Sequence, residues 1–247
     1  PYILMGGSFM RYLFWGIISL MLIAPASTSM GVCEARDHTE NHKIAKTSTR
    51  LESRSRAATV RIMAATSTGT QVGTATAFKY KGYTIAITAA HVIGGPPYLA
   101  AALTDVQYEM AEVIYFDSDT DIAVLLLPEL AGVKPLPLRA VREGSIRIGQ
   151  ETVYSGYPND HDLFTIRGYV SAFSRSGAFY LHSYAWPGAS GSCVFDEYGR
   201  LMGVLTAVGV GIDMDGAPAA IEDVVYVTPI QDLNFELLDL NLKHLDE

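Results

Sequence analysis

Cysteine is almost missing from this chain. Cys33 and Cys193 are the two in 247 residues, which rules out a disulfide framework and a zinc site of the usual four-ligand kind. Cys193, set in an apolar run, reads as a buried strand thiol. Positive charge is scarce as well: 18 Lys and Arg stand against 26 Asp and Glu, for a net charge of -8. Most of the basic clustering falls before residue 57, so a nucleic-acid partner, which needs Lys and Arg gathered on the folded domain, is not expected. The third shortage is of long apolar runs. Tyr12 to Ala24 is short for a membrane span, which takes about 20 such residues.

What is present is apolar and alternating. Hydrophobic residues make up 49% of the chain and charged ones 18%, enough for a sizeable core. Gly, Thr, Val and Ala recur in short alternating runs, which suits an all-β globule more than a helical bundle.

The N-terminal quarter divides by composition. Arg11, the apolar run to Ala24 and the Ala24-Pro25-Ala26 triplet read as a signal peptide with its cleavage site, or as a retained membrane anchor acting through residues 12–24. Residues 1–33 are assigned to this leader. Either form implies a secreted, periplasmic or membrane-anchored protein. A lipoprotein reading at Cys33 is weakened by Val32, where a small residue belongs. Residues 34–57 are polar and mixed in charge and read as a linker. His38 and His42 stand at helical spacing there, but with no further ligand nearby they read as solvated residues.

Strand signals run from Thr59 onward: Val60, Ile62 and Ala64 alternate, Gly73 to Tyr80 alternates again, and Lys81-Gly82 marks a hairpin. Further strands are expected at Tyr83 to Thr88, Tyr98 to Leu103, Val106 to Phe116 and Ile122 to Leu127. After an irregular stretch from Pro128 to Arg142 come Glu151 to Gly156, Leu163 to Ser174, Ala178 to Tyr184 and Leu201 to Val208. Apolar residues at Leu233, Phe235, Leu237, Leu238, Leu240 and Leu242 predict a closing amphipathic helix, about residues 231–245. Asp117, Asp119 and Asp121 alternate as in a calcium loop, but the glycine and distal glutamate of an EF-hand are missing. Asp117 reads as a turn or cap residue.

Three stretches carry chemistry. Trp186-Pro187-Gly188-Ala189-Ser190-Gly191-Ser192 sets a serine among small residues before an apolar strand. Ala86-Ile87-Thr88-Ala89-Ala90-His91 ends a strand in a histidine, and Asp121 opens another before Ile122-Ala123-Val124-Leu125. A serine needs a base to take its proton and backbone N–H donors for the oxyanion it generates. Taken in the order His, Asp, Ser, these motifs resemble the trypsin-like (chymotrypsin-fold) serine peptidases, most closely the HtrA-type and related bacterial, phage and viral members, over about residues 58–235.

The resemblance implies two six-stranded antiparallel β-barrels, about residues 58–128 and 143–230, in a peptidase domain spanning 58–247. It implies a His91, Asp121 and Ser190 triad acting through an acyl-enzyme, with an oxyanion hole from the N–H groups of Gly188 and Ser190. No metal or cofactor is required, and the partner is a polypeptide substrate. Tyr184 would lie at the pocket base and Thr206, Ala207 and Val208 on its wall; none is acidic, so small or medium uncharged side chains are expected. The tail leaves no PDZ domain, a departure from the HtrA type that opens the question of oligomeric state. Two alternatives stand beside this reading: a catalytically silent binding module on the same fold, and a phage or viral peptidase that processes a polyprotein. An α/β-hydrolase would need Gly-x-Ser-x-Gly and the order Ser, Asp, His. Here Ser192 occupies the last glycine position.

Overall fold

Period-two burial marks the first strand. The computed structural model describes residues 49–66, 69–96, 98–104, 107–212 and 216–245. In β1 (Thr59–Thr66), Val60, Ile62 and Ala64 are fully buried while Met63 faces outward, as side chains on a one-sided sheet must. β1 pairs antiparallel with β2 (Gly69–Tyr80), and β2 with β3 (Tyr83–Thr88) across a turn in which Lys81 and Gly82 have φ of 49 and 93. Positive φ at both central residues matches the right-handed twist of the strands. β3 continues to β6 (Ile122–Leu126), β6 to β5 (Tyr108–Asp117), β5 to β4 (Leu99–Leu103), and β4 returns to β1. The ring is closed, so it has no free edge.

The second barrel closes the same way through β8 (Glu151–Gly156), β9 (Phe164–Phe173), β10 (Phe179–His182), β13 (Pro218–Pro229), β12 (Leu201–Ile212) and β11 (Cys193–Asp196). β12 runs four residues past the expected Val208, and its partner β13 was not among the expected strands. The stretch between the barrels is irregular apart from β7 (Leu136–Pro137), which lies parallel to β2.

Both barrels share one apolar seam. Phe78 of β2 meets Phe195 of β11 at 6.2 Å between ring centroids, and Cys193, Leu201 and Val204 join the core cluster of the first barrel. The closing helix is present as α3 when helices are numbered in chain order (Phe235–His244), capped by Asn234, whose side chain accepts the Leu237 N–H at 3.0 Å. It follows the second barrel yet docks on the first: Asn241 donates to the Ile114 carbonyl at 2.7 Å and the Tyr80 hydroxyl to Asp239 at 2.9 Å.

Of residues 34–57, expected as linker, 34–48 lie outside the described residues, and the end of the segment is helical: α1 (Arg50–Ala58) has a capping box, in which Thr49 accepts the Glu52 N–H and the Glu52 carboxylate accepts the Thr49 N–H. Three of its polar residues, Glu52, Ser55 and Arg56, are spent on contacts with the second barrel, while Arg50, Ser53 and Arg54 are exposed. Ser55 bonds Ser155 at 2.9 Å in a buried site, Arg56 donates to the Leu163 carbonyl at 2.7 Å, and Arg167 meets Glu52 at 2.7 Å. The expected leader at residues 12–24, Cys33, and His38 and His42 lie outside the described residues.

The Arg167 bond and the Thr49 N–H hold the Glu52 carboxyl below its ordinary value. A carboxyl so held contributes stability above the unfolded-state value and loses it as pH falls through the folded one. Glu52→Gln is expected to lower the thermal midpoint by a few degrees at pH 7, with the gap to wild type closing towards pH 3.5. An equal gap at both pH values would contradict the assignment.

Candidate active site

The histidine is delivered by a strand that has run out of room. β3 ends at Thr88, and the buried Ala89 and Ala90 lead into α2 (Ala90–Ile93), a single helical turn closed by Gly94 at φ 81. Asp121 sits one residue before β6 at φ 56, a left-handed pose that Asp tolerates better than most side chains. From there its carbonyl accepts the Ala90 N–H at 3.1 Å, its Oδ1 the His91 backbone N–H at 2.8 Å, and its Oδ2 lies 2.7 Å from His91 Nδ1. The aspartate thus grips both the backbone and the ring of one residue. With Nδ1–H donated to a carboxylate, the neutral ring keeps Nε2 as an acceptor. Asp117, at the other end of the turn, accepts the Asp119 and Thr120 N–H groups at 2.8 and 3.4 Å, the cap role expected of it.

The serine lies on a turn of defined geometry. Ala189 N–H donates to the Trp186 carbonyl at 3.0 Å, and Gly188 has φ 91. With Pro187 before it this is a type II turn. A Cβ at Gly188 would stand 2.4 Å from the Tyr157 carbonyl oxygen, so glycine is required twice over. The hydrogen bonds of this turn can be followed group by group. The Pro187 carbonyl accepts the Asn159 N–H at 2.6 Å and the Gly188 carbonyl accepts the Thr74 hydroxyl at 2.8 Å. The Ala189 carbonyl accepts Ser192 N–H at 3.1 Å and Ser192 Oγ at 2.7 Å. The Ser190 carbonyl accepts the Thr74 N–H, and Gly191 N–H donates to Leu205, both at 2.8 Å. The N–H groups of Gly188 and Ser190 have no hydrogen-bond partner among the described residues.

The two halves of the site touch through threonines. Thr88, just ahead of His91, donates its hydroxyl to the Thr74 carbonyl at 2.7 Å. Gly191, just after Ser190, packs so closely on that pair that an added Cβ would be 2.1 Å from the Thr74 carbonyl oxygen and 2.2 Å from Thr88 Oγ1. Ser190 is half-buried, as are His91 and Asp121. Neither Thr74 nor Asn159 was singled out from the sequence. A threonine in an alternating strand carries no signal of its own, whereas Pro158-Asn159 marks a turn, Pro158 by its fixed φ and Asn159 by its tolerance of the left-handed backbone it adopts at φ 47.

Thr206, Ala207 and Val208 lie half-buried on β12 at an irregular register opposite β13, with Thr206 Oγ1 3.3 Å from Thr228 Oγ1. Tyr184 is 57% exposed, and its ring stacks on Trp186 at 5.9 Å and 11°. Only its carbonyl faces inward, accepting the hydroxyl of Tyr154, whose burial pushes the phenol well above its usual value. His182 is on the exposed side of β10, beside the Tyr169 ring and 3.9 Å from the Asp223 carboxylate. His161 stacks on Phe164.

Two closed six-stranded antiparallel barrels joined at a serine turn, with a His–Asp pair on the facing loops, define the chymotrypsin-like class. The chain belongs to the trypsin-like peptidase domain family, whose pattern matches residues 68–204. Solved structures of the same fold include the HtrA-type protease AlgW with a tripeptide, at 22% identity and a TM-score of 0.62, covering 78% of this chain and 63% of that one. The serine endoprotease from Yersinia pestis is similar at 19% identity and a TM-score of 0.59, over 76% of this chain and 65% of that one. The active form of the Rv3671c protease from M. tuberculosis is 18% identical with a TM-score of 0.61, over 76% and 82%. This chain therefore spans less than two thirds of the length of the first two. No curated protein matches it by sequence.

Cys193, the residue that leads from the serine turn into β11, is fully buried, and burial pushes its thiol up to about 12. A thiol in that state is inert. Peptide mapping after iodoacetamide at pH 8 should find Cys193 unmodified in the folded protein and alkylated in urea; rapid native alkylation would show the strand start to be open.

Proposed function

We propose that this protein is a serine endopeptidase that cleaves polypeptides by acyl transfer. His91 Nε2 takes the proton of Ser190 Oγ as that oxygen attacks the scissile carbonyl carbon, and the electron pair of the carbonyl moves onto its oxygen. The Gly188 and Ser190 N–H groups receive this oxyanion. The tetrahedral adduct collapses as His91 returns the proton to the leaving amine, leaving an acyl-serine that water, deprotonated by the same histidine, hydrolyses. Asp121 holds the ring tautomer and stabilises the imidazolium. The observation that carries this reading is the pattern of hydrogen bonding around Ser190: the carbonyls of residues 187–190 are engaged, while the N–H of Gly188 and that of Ser190 itself are open, as oxyanion donors must be.

For substrate choice, the uncharged Thr206, Ala207 and Val208 support a preference for small or medium uncharged side chains before the scissile bond. A lysine or arginine there would be desolvated without a partner, which is costly.

A fluorophosphonate probe tests the chemistry. Wild type is expected to take one equivalent on Ser190, and Ser190→Ala none. With a peptide substrate, His91→Ala should lower kcat by about 10⁶-fold and Asp121→Asn by about 10⁴-fold. A folded wild type that takes no label from pH 6 to 9 would favour the silent binding module. In a peptide-library digest, cleavage after Ala or Val should exceed cleavage after Lys or Arg, and the reverse order would overturn the pocket assignment.

A further inference from the structure

Thr74, on β2 of the first barrel, is wholly buried and makes four hydrogen bonds, three of them to the opposite barrel. Its N–H donates to the Ser190 carbonyl at 2.8 Å. Its hydroxyl donates to the Gly188 carbonyl at 2.8 Å and accepts the Tyr157 N–H at 3.0 Å. Its carbonyl accepts the Thr88 hydroxyl at 2.7 Å, on the strand that carries His91.

These bonds act on peptide planes. In a trans peptide the C=O and N–H point in opposite directions, so fixing one fixes the other. The Gly188–Ala189 plane is held by the Thr74 hydroxyl on one side and the Trp186 carbonyl on the other; the Ser190–Gly191 plane is held by the Thr74 N–H and the Leu205 carbonyl. Between them lies the plane that carries the open N–H of Ser190. The second open N–H, on Gly188, belongs to the Pro187–Gly188 plane, whose carbonyl is held by Asn159 N–H. Asn159 stands two residues past Tyr157, whose own N–H ends on the same Thr74 hydroxyl. One side chain from the facing barrel therefore bears on both donors.

We propose that Thr74 is a positioning residue for the oxyanion site, an assignment that rests on the peptidase reading above. It touches neither substrate nor reacting atoms. Its hydroxyl is suited to the place because it donates and accepts at once, and its β-branch limits the rotamers that could lose this geometry. Valine keeps the shape and removes both bonds the hydroxyl makes, the one to the Gly188 carbonyl and the one from the Tyr157 N–H.

The test is the kinetics of Thr74→Val and Thr74→Ser beside wild type, with thermal unfolding to establish that each is folded. Thr74→Val is expected to lose about tenfold to a hundredfold in kcat, less than the loss on deleting an oxyanion donor outright, with KM within about threefold. Affinity for a peptidyl trifluoromethyl ketone, which forms an oxyanion on the enzyme, should fall in step with kcat. Thr74→Ser should regain most of what valine loses. A purely structural role would shift the unfolding midpoint and leave the kcat to KM split and the ketone affinity untouched, and that result would overturn the assignment. So would a serine variant as impaired as the valine one. If Thr74→Val does not fold, Thr74→Ala opens the same two groups without added bulk and is read the same way. Fluorophosphonate labelling separates the two levels of failure: an unlabelled wild type sinks the peptidase reading, whereas a labelled wild type matched in rate by Thr74→Val sinks the Thr74 assignment alone.

Discussion

The carbonyl groups of residues 187 to 190 are all engaged, by Asn159, Thr74, Ser192 and Thr74 again, and everything specific about the site depends on this. A backbone turn in water can satisfy its donors and acceptors in several arrangements of similar energy. Here the acceptors are taken by groups held in barrels and in a braced loop, so the turn has one arrangement and its two spare donors stay spare. Catalysis by preorganised dipoles needs this condition, since reorientation at the moment of reaction would cost part of the barrier reduction.

The same economy governs the His91 side. Asp121 reaches two donors of one residue, so the ring is fixed in position by the backbone contact and in orientation by the side-chain contact. The barrels must then keep the two loops in register, and several devices do so. The Phe78 and Phe195 rings meet across the seam, α3 follows one barrel and packs on the other, and α1 precedes the first barrel while bonding to β8 and to the segment before β9. Arg61 of β1 adds a further brace: its guanidinium donates to the His161 carbonyl at 2.8 Å and lies 4.8 Å from the centroid of the Tyr157 ring. The loop that presents Asn159 to the serine turn is therefore gripped at both ends from the first barrel.

Much of this was legible in the residues, and what was missed has physical reasons. A strand with one buried face announces itself by alternation, so β1 could be read directly, whereas β2 and β3, buried on both faces from Gly73 to Phe78 and from Ile85 to Thr88, were marked by the Lys81-Gly82 turn between them. β13 could not be read, because Pro218, Glu222 and Asp223 interrupt its alternation and its order comes from pairing with β12. α1 had its signature in Thr49 and Glu52, but its nine residues are too few and too polar to be helical without the second barrel beside them. The motif residues His91, Asp121 and Ser190 stood out as a set because their three short motifs follow one another in the order and spacing of the trypsin-like peptidases they resemble. Thr74 did not, since its importance lies in where its four bonds end, and no local pattern records that. Tyr184 shows the same limit from the other side: its position was inferred by resemblance, while its ring direction is set by the flat face of Trp186.

The central claim concerns where an oxyanion would sit, and a crystal structure of the protein inactivated by a diisopropyl phosphoryl group tests it most directly. Phosphorus bonded to Ser190 Oγ, with its phosphoryl oxygen about 2.7–3.1 Å from both the Gly188 and Ser190 nitrogens, is the predicted result. An adduct whose phosphoryl oxygen turns to solvent while those two N–H groups bind something else, or a phosphorus carried by another side chain, would contradict it.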